Sequence, residues 1–237
     1  MEARTIAILP MKRFGAAKSR LAAALGTGAR QALAQAMFSD VLAALRRVER
    51  LDAIAVITAD REVAASLSGE GVTLLPDEQE SGQSAATLIG VKEALVAGFD
   101  RVLLVPGDAP LLDPVEVDTL LGSATGSPEL VIVPDRHLTG TNALLIAPPD
   151  ALEPSFGPGS LARHEGAAAA AGLSYRVDPI ESLMLDIDTP EDLGALIGLL
   201  AQRRALAPRT RGALAQLERV PGTGVAEIAA TARESQA

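Results

Sequence analysis

The stretch Arg101-Val102-Leu103-Leu104-Val105-Pro106-Gly107-Asp108-Ala109-Pro110 decides the fold. Its apolar run is short, continuous and closed by proline and glycine, which reads as a buried strand. Asp108 stands where that strand ends. Similar runs recur on either side of it. Residues 4–9 are predicted as a first strand, 53–58 as a second and 72–75 as a short third. Between them Leu33, Met37, Val41, Leu45 and Val48 fall at helical spacing, so a helix is predicted over 28–48. Further helices are predicted from about 84 to 97 and from Pro114, a residue that favours the first helical turn. Residues 130–133 and 143–146 read as two more strands, and their short connection fits a hairpin or sheet edge better than a crossover helix. The alternation predicts a three-layer α/β/α, Rossmann-like domain whose mostly parallel sheet carries an antiparallel strand. In such sheets ligands bind beyond the carboxyl ends of the strands. The compact domain is expected over 1–207, with a tail over 208–237 that is partly helical or disordered.

Composition narrows the chemistry. The 237 residues are 48% hydrophobic but only 2% aromatic, so the core is built from Leu, Val, Ile and Ala. There is no cysteine, which excludes disulfides, thiolate metal sites and a Cys nucleophile, and suits a cytoplasmic location. No apolar run reaches the roughly 18 residues of a membrane span. The formal net charge of −9 argues against general nucleic-acid binding. Residues 10–20 reverse that sign locally, with Lys12, Arg13, Lys18 and Arg20 and no acid among them.

Four segments then carry candidate chemistry. In Asp186-Ile187-Asp188-Thr189-Pro190, extended geometry turns Asp186 and Asp188 to one side and Ile187 to the core. Magnesium takes oxygen ligands, often one or two carboxylates with substrate phosphates, and Asp108 offers a third acid. The same pair also suits the N-terminus of the next helix, where Thr189 is the expected cap, Pro190 the first residue and Asp192 the reciprocal acid. In the basic loop, Lys12, Lys18 and Arg20 are candidates to neutralise phosphate, while Gly15, Ala16, Ala17 and Ser19 let amides approach an anion. Arg13 reads as surface. In Gly157-Pro158-Gly159-Ser160, a glycine-rich loop enters an Ala-rich helix and suits an anion, or simply a turn with a Ser cap. His164 lies four residues on, on the face of Ser160. Gly140-Thr141-Asn142 either contacts a small polar ligand or closes a turn. No serine sits in a nucleophile-elbow setting.

The ordered set resembles the guanylyltransferases of deazaflavin coenzyme biosynthesis, which act on phosphoenolpyruvate or 2-phospho-L-lactate. Pro10-x-Lys12-x-Phe14-x-x-Ala17-Lys18-Ser19-Arg20-Leu21 is similar to that family's N-terminal signature. The likeness continues through Thr58-Ala59-Asp60, Pro106 to Pro110, Gly140 to Asn142, Phe156 to Ser160 with His164, and Asp186 to Pro190. It departs where the family's Gly-Leu-Asn reads Gly82-Gln83-Ser84. The resemblance implies a nucleotide-diphospho-sugar transferase fold. It implies magnesium on Asp108, Asp186 and Asp188. Pro10, Lys12, Lys18, Arg20, Gly82, Ser84 and Gly107 would face GTP. Thr141, Asn142, Gly157 and Ser160 would face a phosphorylated three-carbon acid. Lys18, Arg20 and Asp108 would carry the transfer of GMP to the acid's phosphate, and a further enzyme would take the unstable product. Alternatives remain: a related nucleotidyltransferase acting on a sugar phosphate or molybdopterin, or a non-catalytic GTP-binding module. Neither nucleic acid nor membrane is expected as a partner. A homodimer is left open, with the tail one candidate for its contact surface.

Overall fold

The structure is a computed structural model that describes residues 3–13, 18–67, 71–124, 126–203, 205–220 and 223–234. Phe14, Gly15, Ala16 and Ala17 of the basic loop, and Pro221 and Gly222 of the tail, lie outside the described residues. The chain runs β1 (Thr5–Met11), α1 (Thr27–Leu45), β2 (Ala53–Thr58), α2 (Arg61–Leu67), β3 (Thr73–Pro76), α3 (Gln83–Val96) and β4 (Arg101–Leu104). It continues through α4 (Pro114–Ser123), β5 (Glu129–Pro134), β6 (Thr141–Ala147), α5 (Ser160–Ala170), β7 (Ser174–Val177), α6 (Pro190–Gln202), α7 (Pro208–Leu217) and α8 (Val225–Glu234).

The strands form one seven-stranded sheet in the order β3-β2-β1-β4-β6-β5-β7. Only β6 runs against its neighbours, pairing antiparallel with β4 and β5. The mostly parallel sheet with an antiparallel strand is therefore the one predicted, and the short link from β5 to β6 is a hairpin. Strand β7 was not anticipated. It is four residues long, mostly exposed at the sheet edge, and has no apolar run to mark it.

Alternation along β1 divides the core. Ala7 and Leu9 pack on one face with Val41 and Leu45 of α1 and Val117 and Leu120 of α4. Ile6 and Ile8 pack on the other with Ala86, Val91 and Ala94 of α3 and Ala168 of α5. This is the period-two signature of a strand buried on both faces. Gly90 lets α3 lie close, since a Cβ there would come within 2.5 Å of the Ile8 side chain. Pro10 sits inside β1 without cost to the ladder: β4 stops pairing at Ile8, so the missing N–H is not called on from that side.

A third apolar cluster joins Leu33 and Met37 of α1 to Leu193, Leu196 and Leu200 of α6 and to Leu214, Leu217 and Val225 of the last two helices. Helix α7 also lacks a side-chain cap of its own. Asp40 of α1, 4% exposed, supplies one: its carboxylate accepts from the N–H groups of Arg209 at 3.2 Å and Thr210 at 2.7 Å. Leu214, Leu217 and Val225 of the tail thus pack against their own chain, while Val220 stays exposed. No helix among the described residues is long and apolar enough to cross a membrane.

Candidate active site

The chain reverses direction across the sheet between β1 and β4. It steps outward from β1 through β2 to β3, then returns to place β4 on the other side of β1. A crevice opens at the carboxyl ends on either side of such a reversal. Here it is a cleft of about 570 Å³. Pro10, Met11 and Lys12 line it from the end of β1, and Pro106, Gly107 and Asp108 from the end of β4. Because β6 is antiparallel, its beginning reaches the same edge. Leu104 stands opposite Leu144, which brings Thr141 and Asn142 level with the residues just past β4. Helix α3 begins at the wall, where Gly82, with φ of 104°, and Gln83 line the cleft.

The acids converge there. Ile187 is fully buried, and its N–H donates to the Asp108 carbonyl at 3.2 Å. That anchor leaves Asp186 and Asp188 on the cleft side, as the alternation predicted. One carboxylate oxygen from each of Asp108, Asp186 and Asp188 lies within 4.8 Å of the other two. The capping box is present as expected: Thr189 Oγ1 accepts from the Asp192 N–H at 3.2 Å, and Asp192 accepts from the Thr189 N–H at 2.8 Å. Asp192 also accepts from the Asp188 N–H at 3.2 Å. Arg136 of the β5–β6 hairpin pairs with Asp192 and Glu191, both at 2.9 Å. Thr189 and Asp192 thus cap the helix, while the carboxylates of Asp186 and Asp188 group with Asp108.

Lys18 completes the cluster. Its buried ammonium bridges Asp108 and Asp188, the latter at 3.0 Å. Its backbone takes the left-handed region at φ 57°, which costs a non-glycine residue about 1 kcal/mol. Arg20 lies 3.7 Å from Asp188 and is largely exposed. Charge is unevenly shared. Burial, then the nearby Asp108 and Asp188, push the Asp186 carboxyl up to about 6, against the pull of Lys18. Burial also works to raise Asp188, but Lys18, Arg20 and Lys12 outweigh it and hold that carboxyl below its ordinary value. Burial disfavours the Lys18 charge, yet Asp108 and Asp188 overcome it and keep the ammonium protonated.

Asn142 belongs to this cluster. Its Nδ2 donates to the Leu183 carbonyl at 2.9 Å and to Asp186 Oδ1 at 3.3 Å. The remaining candidates sit behind the wall rather than on it. Ser160 is 1% exposed and is the first residue of α5, with Gly159 in the cap position. Its Oγ accepts from the Thr141 N–H at 2.8 Å. Ser84 Oγ accepts from the Phe156 N–H at 3.0 Å, tying α3 to the glycine-rich loop. Gly157, at φ 112°, lies in that loop, whose carbonyls at Ser155 and Phe156 accept from Arg163 at 2.9 and 3.3 Å. Neither Ser84, Gly157 nor Ser160 lines the cleft itself. The residues that do, and that were not singled out from the sequence, include Asp77 and Glu80 after β3. Their signal was the same one used for Asp108, an acid at the carboxyl end of a predicted strand.

The sequence matches the family described as guanylyl transferase CofC like over residues 5–202. A phosphoenolpyruvate guanylyltransferase of Conexibacter woesei is 50% identical over 216 residues, 91% of this chain and 97% of that protein. A 2-phospho-L-lactate guanylyltransferase of Methanothermobacter thermautotrophicus is 37% identical over 194 residues, 82% of this chain and 84% of that protein. Among solved structures, a Desulfovibrio desulfuricans protein assigned to the nucleotide-diphospho-sugar transferases superposes with a TM-score of 0.71. It is 17% identical and each chain covers 98% of the other, a likeness of fold alone. With the family match spanning all seven strands and every acid of the cluster, the chain belongs to the CofC-like guanylyl transferase family.

Proposed function

We propose that this chain transfers GMP from GTP to the phosphate of a small phosphorylated three-carbon acid, with phosphoenolpyruvate favoured, in the synthesis of a deazaflavin coenzyme. The observation that carries the reading is the convergence of Asp108, Asp186 and Asp188 with the Lys18 ammonium in one cleft. The preference for phosphoenolpyruvate rests on the relative of that name at 50% identity.

The donor set fits a magnesium ion. All three groups offer hard oxygen, and three carboxylates share the cleft with one buried ammonium. Asp108, Asp186 and Asp188 would hold the ion, with Asn142 fixing the carboxylate of Asp186. Bound there, magnesium supplies Lewis-acid neutralisation of triphosphate charge.

The chain's own groups account for the rest. Lys12, Lys18 and Arg20 lie on the cleft wall where a triphosphate needs cations. A phosphate oxygen of the acid forms a bond to the α-phosphorus of GTP, and the α–β anhydride breaks. Pyrophosphate leaves with the electron pair, and Lys18 and Arg20 stabilise its charge. The attacking oxygen is already ionised at neutral pH, so no side chain needs to act as a base. Thr141 faces the acid from the β6 side of the cleft.

The test offers GTP and magnesium with phosphoenolpyruvate, 2-phospho-L-lactate or 3-phospho-D-glycerate in parallel, and reads pyrophosphate. Coupling to the enzyme that consumes the unstable product draws the reaction forward. Release that depends on one of these acids and on GTP is the expected result. Release that ignores all three, or that follows a sugar phosphate instead, overturns the reading.

A further inference from the structure

The imidazole of His164 is fully buried one residue deep behind the cleft wall, and both of its nitrogens are engaged. Nε2 lies 2.9 Å from the backbone nitrogen of Ser155. A backbone N–H only donates, so Nε2 accepts and carries no proton. Burial, then the charge of Arg163, hold the ring neutral, with its pKa lowered to about 4. The one ring proton therefore sits on Nδ1. Nδ1 is 2.9 Å from Thr141 Oγ1, so the ring donates and the hydroxyl accepts. The Thr141 hydroxyl keeps its own proton for another acceptor, and no described residue takes it. Thr141 lines the cleft.

The arrangement is braced. The Thr141 N–H donates to Ser160 Oγ at 2.8 Å, so one helix holds the residue at two points. Phe156 packs edge-on against the imidazole, with centroids 5.6 Å apart. The pairing of Phe156 N–H with Ser84 Oγ carries the brace on to α3.

We infer that His164 is a positioning residue that fixes the Thr141 hydroxyl as a hydrogen-bond donor to an anionic oxygen of the acceptor acid. The inference rests on the reading of the cleft under Proposed function. It assigns His164 to the acid and not to GTP, because Thr141 enters from β6 while the triphosphate cations enter from the β1 side.

Two amide substitutions separate the ring's two bonds. In His164→Asn the side-chain amide reaches the place of Nδ1 and can still donate to Thr141. In His164→Gln it reaches the place of Nε2, serves Ser155 and leaves Thr141 unheld. The experiment measures KM for the acid, KM for GTP and kcat in wild type, H164N, H164Q, T141V and the T141V/H164Q double variant. Loss of one such hydrogen bond corresponds to about a tenfold change. The expected result is an acid KM raised about tenfold in H164Q and T141V, no further rise in the double variant, and recovery in H164N, with KM for GTP unmoved. Equal defects in H164N and H164Q, additive effects in the double variant, or a matching rise in KM for GTP overturn the inference. Acid-dependent turnover by wild type without this split refutes the role of His164 alone. An absence of acid-dependent turnover in wild type refutes the parent reading as well. Should the variants fail to fold, nitrogen NMR of the wild-type ring decides the matter: a proton on Nδ1 is expected, and a proton on Nε2 overturns it.

Discussion

Burial makes His164 visible in the stability of the protein. Its folded pKa is lowered to about 4 by desolvation and, secondarily, by Arg163, while in the unfolded chain it titrates near 6.5. Its hydrogen-bond and ring partners, Ser155, Thr141 and Phe156, bring no compensating charge. A depressed folded pKa means that the unfolded state takes the proton first. Stability from this residue is complete above pH 6.5 and is lost as pH falls toward 4. Relative to His164→Asn, wild type is expected to lose about 2 kcal/mol between pH 7.5 and pH 5. Urea melts at the two pH values measure it, and parallel profiles for the two proteins would contradict it. The i, i+4 spacing of Ser160 and His164 was legible in the sequence. Their shared partner was not, because Thr141 lies at the start of β6, and only the antiparallel register of that strand brings it to α5.

At the scale of the element, α6 shows how one short segment serves both a helix and a cleft. Thr189 and Asp192 satisfy the first turn, and Asp192 also holds the backbone of Asp188. Thr189→Ala removes a cap whose usual worth is about 1 kcal/mol. The variant is expected to melt about 2–4 °C lower, as read by circular dichroism, and an unchanged midpoint would show the cap to be redundant. This element was readable because its chemistry is local: Thr, Pro and an acid at fixed offsets each answer an orphan backbone group or a fixed φ. Strands β1, β2 and β4 were readable for a similar reason, since burial on both faces demands unbroken apolar runs. Strand β7 offered no such run. Ser84 and Asn142 were visible as polar residues near strand and helix ends, but their partners, Phe156 and Asp186, are 72 and 44 residues away. No local pattern encodes such a pairing.

The whole molecule depends on segments that look peripheral in the chain. Removing residues 208–237 would uncover Leu33, Met37, Leu196 and Leu200, and would strip Asp40 of the Arg209 and Thr210 N–H groups. The lost burial of Leu214, Leu217 and Val225 alone is worth on the order of 5 kcal/mol. A chain ending at residue 207 is expected to show a clearly lower urea midpoint, and a midpoint equal to that of the full chain would mean that the last two helices are dispensable. From sequence the tail read as a weak pattern, because its apolar residues are few and acquire meaning only against α1 and α6. The cleft gathers its parts on the same principle, from the ends of β1 and β4, the start of β6 and the segment before α6. That those parts form one phosphoryl-transfer site is tested most directly by acid-dependent pyrophosphate release from GTP in Asp188→Asn beside wild type. The substitution keeps the size of the side chain and removes the charge that Lys18 and the metal would share. A fall of at least about 100-fold in turnover, with the melting midpoint preserved, is the predicted result. Turnover within about threefold of wild type would contradict it.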